Sequence, residues 1–173
     1  MGKKKIEGVK RMKIELAFTL NGKKVMTQAN ANSRLIDILR ETFNLIGAKS
    51  ACLIGVCGAC TIVFNGRVTK SCLIPAFQVQ GSDVITIESF SETESCQDII
   101  NGFEKAGIEN CGYCNVGKIF IAEAILAKNS QPSREDILSA FSGIRCRCTE
   151  EESLISAVLT AADVRQRRIY GRT

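Results

Sequence analysis

The sequence predicts an α+β chain, a small mixed sheet wrapped around one helix and then an all-α four-helix unit. Two observations predict this division. Residues 13–88 show short apolar–polar alternation punctuated by Asn-Gly pairs, the pattern of strands joined by tight hairpins. Beyond about residue 95 the apolar residues recur at helical spacing instead.

KIELAFTLNGKKVMTQA, beginning at Lys13, alternates on both sides of Asn21-Gly22 and reads as a β-hairpin. From Ser33 to about Phe43 the residues Leu35, Ile38, Leu39 and Phe43 share one helix face, with Asn32 or Ser33 available as cap. The small-residue loop SACLIGVCGAC follows. TIVF, a second turn at Asn65-Gly66, RVTKSCLI and DVITIES supply the remaining strands. SFSETESCQ, residues 89–97, is polar and without period. This places domains at residues 12–90 and 91–165, between basic tails at 1–11 and 166–173. In the second domain QDIINGFEKAG, VGKIFIAEAILAKN, SREDILSAFSG and ESLISAVLTAADVRQR each read as about three turns of helix. Ser133 and Asp136 form a capping-box arrangement at the start of the third.

The composition excludes several chemistries. The 173 residues contain no histidine, which removes Ser-His and Cys-His nucleophile pairs and every zinc site built on imidazole. Nine cysteines stand in a chain whose N-terminus, MGKKKIEGVKRMK, has basic residues but no apolar segment behind them. That combination points to a cytoplasmic protein with metal or redox chemistry rather than disulfides. No apolar run reaches the ~18 residues of a membrane span, so no membrane association is expected. The net charge of +5 comes with basic clusters at the ends, read as solvated tails. Eight Phe, two Tyr and no Trp, without a basic-aromatic pattern, argue against nucleic acid.

Cys52, Cys57 and Cys60 stand as Cys-x4-Cys-x2-Cys, and Cys72 follows downstream. This is the plant-type ferredoxin spacing for a [2Fe-2S] cluster. Four thiolates must converge on two adjacent irons, so three come from one tight loop and the fourth from a neighbouring strand. Ala51, Gly55, Gly58 and Ala59 leave room for backbone N–H groups to turn inward. A second knuckle, Cys111-Gly-Tyr-Cys114, precedes one helix, and the pair Cys146-Arg-Cys148 falls between two others. An antiparallel bundle lets these loops meet as a second four-thiolate site, flanked by Arg145 and Arg147 as charge partners or as simple surface residues. Two four-cysteine zinc sites compete with this reading, because thiolates suit zinc as well. Zinc knuckles, however, usually pair two Cys-x2-Cys units. Cys96 fits neither set and reads as a semi-buried thiol at a helix start.

CLIGVCGACTIVFNG, RVTKSCLIPA, CGYC and SGIRCRCT, in this order, resemble the small iron-sulfur subunit of the molybdenum hydroxylase family. That family includes xanthine dehydrogenase, carbon monoxide dehydrogenase and nicotinate or aldehyde oxidoreductases. The resemblance spans about residues 12–165. It implies a β-grasp, plant-type ferredoxin domain holding one [2Fe-2S] cluster and a four-helix domain holding the other. It further implies an electron-transfer subunit of a multi-subunit oxidoreductase, with no substrate-binding catalytic site on this chain. A large partner subunit would carry the molybdenum-pterin. Cys111, Cys114, Cys146 and Cys148 would hold the relay nearest to it, and Cys52, Cys57, Cys60 and Cys72 the outer relay, passing electrons toward a FAD-binding medium subunit or another acceptor.

Two stretches depart from the family's usual residues. Where it generally reads Gln-Cys-Gly-Tyr-Cys-Thr-Pro-Gly-Met, this chain runs from Asn110 through Cys111 and Cys114 to Lys118. The family's Gln contacts the pterin, so Asn110, one methylene shorter, is the candidate pterin contact. Gly-Asn-x-Cys-Arg-Cys-Thr-Gly-Tyr becomes Gly143-Ile144-Arg145-Cys146-Arg147-Cys148-Thr149-Glu150-Glu151. These departures motivate a second reading, a stand-alone two-cluster carrier or redox-sensing module without a molybdenum partner.

Overall fold

A computed structural model describes residues 12–108 and 111–171. Alternation in β1 (Lys13–Leu20) turns Leu16, Phe18 and Leu20 onto one buried face. Asn21 and Gly22 have φ of 52° and 77°, the left-handed pair that a tight hairpin requires, and β2 (Lys23–Asn30) returns antiparallel. The helix α1 (Leu35–Glu41) buries Leu35, Ile36, Ile38 and Leu39 beneath the sheet.

This helix is shorter than its apolar spacing predicts, and neither Asn32 nor Ser33 caps it. Arg34 is the N-cap, with no side-chain cap bond, and its extended backbone bridges Pro75. The Leu35 N–H donates to Ile74 O at 2.8 Å and the Ala76 N–H to Ser33 O at 2.8 Å. Strand-like pairing with a distant segment thus takes the place of a local cap.

β3 (Thr61–Phe64) and β4 (Arg67–Lys70) form the second hairpin around Asn65-Gly66. The strand expected to continue into SCLI ends at Lys70. There the Ser71 N–H and hydroxyl both donate to Cys60 O, at 3.1 and 2.7 Å, and the chain turns into a short 3-10 segment. β5 (Asp83–Ile85) likewise stops before Thr86, whose N–H donates to Asn21 Oδ1 at 2.8 Å. The remainder of the expected strand is a helical turn, α2 (Ile87–Phe90). The sheet order is β2-β1-β5-β3-β4, with β1 and β5 parallel and the other pairs antiparallel. A small mixed sheet over one helix is the β-grasp arrangement.

The second core belongs to α3 (Glu94–Lys105), α4 (Asn115–Lys128), α5 (Arg134–Phe141) and α6 (Glu151–Tyr170). Thr93 caps α3 by accepting from the Cys96 N–H at 3.2 Å. Ser133 and Asp136 exchange both bonds of the capping box, at 3.1 and 3.2 Å. Ile99, Phe103, Phe120, Ile137 and Val158 are buried here, and Ile87 and Phe90 of α2 pack against the same cluster. Gly102 and Ala161 let α3 and α6 approach closely. Across that contact Arg168 grips the buried Asp98 through both carboxylate oxygens at 2.7–3.0 Å, and Arg165 bridges Asp98 and Glu123. Residues 166–170, expected in the basic tail, are therefore helical, and Arg168 is engaged rather than solvated. Residues 1–11 and 172–173 of the expected tails lie outside the described residues. Among the described residues no helix is long and apolar enough to cross a membrane.

Candidate functional site

The loop joining α1 to β3 carries three thiols of the first set. Arg40 anchors its entry by donating to Ile46 O and Ala48 O at 2.9 and 2.8 Å, and the Lys49 N–H donates to Ala59 O at 2.9 Å. Within the loop Leu53, Gly55 and Gly58 have φ of 57°, 76° and 75°. These left-handed residues coil the backbone so that amides face sulfur: Val56 and Cys57 point their N–H groups at Cys52 Sγ, at 3.4 and 3.5 Å, and Ala59 at Cys57 Sγ, at 3.5 Å. The two hydrogen bonds that Ser71 donates to Cys60 O carry the neighbouring Cys72 toward Cys60. Cys52 and Cys57 are half-buried, Cys60 and Cys72 buried. Ile54, Val56 and Leu73 leave an exposed apolar rim around them.

Backbone donors at Ile54, Cys57 and Val56 bring the Cys52 thiol down to about 6. Burial pushes Cys60 up to about 11. The thiols act on one another within the set: Cys57 helps to lower Cys52, and Cys72 and Cys57 both bear on Cys60.

The second set has the same form. Cys111 and Cys114 lie on the loop entering α4, Cys146 and Cys148 on the loop between α5 and α6. Cys111 and Cys148 are exposed and bear on one another's charge, as do the buried Cys114 and the half-buried Cys146. The Tyr113 N–H, with the thiol of Cys148, lowers Cys111, and the same thiol contact raises Cys148. Burial pushes Cys114 up to about 11. Burial also opposes ionisation of Cys146, but Thr149, the Cys148 N–H and Cys114 outweigh it and bring Cys146 down to about 7.

A [2Fe-2S] cluster takes two thiolates on each of two irons. Both sets offer four thiols with backbone amides turned toward sulfur, and the residues fit that group. A structural zinc instead gathers four sulfurs at about 2.3 Å from one ion.

Asn110 lies outside the described residues. Cys96 is fully buried in the first turn of α3, away from both sets, rather than semi-buried. Arg145 and Arg147 are exposed; the cation that bears on all four thiols of the second set is Lys118, 1% exposed on α4. Its chemistry was visible as a departure from a family Met, but its burial was not, because only the tertiary packing of α4 decides which side is enclosed. A cavity of about 710 Å³ between β4, α4 and α5 is lined by none of the cysteines.

The sequence carries two matching family descriptions, "2Fe-2S iron-sulfur cluster binding domain" over residues 10–107 and "[2Fe-2S] binding domain" over residues 86–159. It is 40% identical to the nicotinate dehydrogenase small FeS subunit of Eubacterium barkeri, covering 87% of this chain and 96% of that one. It is 34% identical to the nicotine 6-hydroxylase small subunit of Paenarthrobacter nicotinovorans, covering 86% and 90%. Among solved structures, a chain of quinoline 2-oxidoreductase from Pseudomonas putida 86 superimposes with a TM-score of 0.80 at 35% identity, covering 91% of this chain and 98% of that one.

Proposed function

Because this chain belongs to the small [2Fe-2S] iron-sulfur subunits of the molybdenum hydroxylase family, an electron-transfer subunit of a multi-subunit oxidoreductase, we propose that it relays electrons through two clusters. One cluster is held by Cys111, Cys114, Cys146 and Cys148, the other by Cys52, Cys57, Cys60 and Cys72. Electrons enter at the helical site from a molybdenum-pterin on the large catalytic partner and leave at the β-grasp site toward FAD on a medium subunit. Asn110 is the proposed pterin contact. A bound [2Fe-2S] cluster supplies one-electron storage at each site.

The observation that supports this reading is the coiled loop at Leu53, Gly55 and Gly58, which turns the N–H groups of Val56 and Cys57 onto Cys52 Sγ and that of Ala59 onto Cys57 Sγ, in a chain whose spacing groups eight thiols into two sets. The chain's own residues hold the sulfurs and set their surroundings. Amides of Val56, Cys57 and Ala59 stabilise negative charge on sulfur at the first site. The apolar rim of Ile54, Val56 and Leu73 offers a partner a surface that can exclude water from that site.

Substitution of Cys114 by Ser, followed by iron and sulfide analysis and electron paramagnetic resonance of the reduced protein, tests the assignment. Iron should fall from about four to about two per chain, with one of two signals lost. Two full, unaltered signals would refute it. Isolation of the tagged chain from its host tests the complex: molybdenum-pterin and flavin should accompany it. A chain that comes down alone with both clusters is instead the stand-alone carrier.

A further inference from the structure

Lys118 is 1% exposed, and its neighbours on α4 from Val116 to Phe120 are buried with it. Burying an ammonium is strongly unfavourable unless negative charge faces it. Among the described residues no carboxylate forms an ion pair with it. Glu151 lines the same cavity of about 380 Å³ but is solvent-exposed. Cys146 lines that cavity with Lys118, and the ammonium favours the charged form of Cys111, Cys114, Cys146 and Cys148 alike.

Lysine side chains are flexible, but this one is held at both ends. At its base, Gly117 is wedged so tightly that a Cβ there would lie 2.6 Å from Gly58 O and 2.9 Å from Ile144 Cδ1. At its tip, Nζ donates to Thr149 Oγ1 at 3.0 Å. With its oxygen accepting from the ammonium, the Thr149 hydroxyl keeps its own proton to donate, and Thr149 favours the charged form of Cys146, which lines the same cavity.

We propose that Lys118 is a fixed-charge positioning residue of the second iron-sulfur site, raising its reduction potential above that of the same site without the cation. This rests on the reading that Cys111, Cys114, Cys146 and Cys148 hold a [2Fe-2S] cluster. Reduction adds one electron and takes the cluster with its thiolates from a net charge of about −2 to about −3. No bond forms or breaks, and only the electron is transferred. A fixed positive charge in a low-dielectric setting attracts the more negative state more strongly, which favours reduction. The donor is the partner's molybdenum-pterin centre in the complex and dithionite in the titration.

The test is a dithionite titration of the cluster-loaded protein, with the subunits that accompany it, followed by electron paramagnetic resonance. Lys118→Met removes the charge at similar volume and Lys118→Arg retains it. In the Met variant one of the two one-electron steps should move to lower potential, the step whose signal Cys114→Ser removes, while the other stays in place. The Arg variant should keep both steps near their original positions. Thr149→Val, which cuts the hydroxyl link but leaves the charge, should give a smaller downward shift of that step and serves if the Met variant fails to assemble. Unchanged steps in Lys118→Met, or equal shifts in the Met and Arg variants, would overturn the proposal while leaving the two-cluster reading intact. An unsubstituted protein with about two irons per chain would overturn that reading instead.

Discussion

Gly58 and Ile144 join the two thiol sets. Gly58 follows Cys57 in the β-grasp loop, Ile144 lies two residues before Cys146, and a Cβ on Gly58 would come within 2.7 Å of Ile144 Cγ1. The loop of one site is therefore seated on the loop of the other through a contact in which only a hydrogen fits.

Gly58→Ala adds a Cβ to a backbone at φ 75° and pushes it into Ile144. We expect a loss of about 1–3 kcal/mol and poorer iron retention. Gly66→Ala, at φ 74° with nothing within 4 Å, carries the backbone strain alone and should be the milder change. Thermal unfolding of the two variants side by side measures the contact; equal losses would mean that it contributes nothing.

At the α3–α6 crossing, a Cβ on Gly102 would lie 2.4 Å from Ala161 Cα. Backbone cannot yield as a flexible side chain can, so Gly102→Ala should force the helices apart. The expected cost is about 1–3 kcal/mol, read as a lower urea midpoint.

Asp98 is 3% exposed and holds both Arg165 and Arg168. Replacing it with Asn leaves two guanidinium groups without their shared anion, and the expected loss is about 3 kcal/mol. Glu152, 69% exposed and paired with Arg134, should be nearly silent as Gln. Chemical denaturation should rank the two in that order, and the reverse order would refute the assignment of the Asp98 cluster as the principal ionic link.

Cys96 has its thiol pushed from 9.0 up to about 11, by burial first and then by Glu123. A thiol raised in the folded state stabilises the fold below the unfolded value of 9.0, and that contribution is lost as pH rises toward about 11. Iodoacetamide at pH 8 should therefore leave Cys96 unmodified in folded protein and label it after unfolding, as peptide mass mapping would show. Labelling of the folded protein at that pH would contradict the enclosed placement.

Features set by neighbouring residues were the legible ones. The Asn-Gly hairpins, the Ser133–Asp136 box and the spacing of the cysteines each follow from a few adjacent positions. The ends of α1, β4 and β5 were less so. Their competing partners, Pro75, Cys60 and Asn21, lie far along the chain from the residues they capture. α6 also runs past its expected end, because Asp98 and Glu94 on α3 draw Arg168 into the packed face.

The sequence by itself determined the order of a strand-rich unit and a helical one, and the grouping of eight cysteines by local spacing. Only the tertiary structure decided which of those sulfurs are buried, that Gly58 meets Ile144, and that Lys118 is enclosed beside the second set. Spacing is a property of adjacent residues, whereas burial and the field at a buried group are sums over atoms that folding brings together from distant parts of the chain.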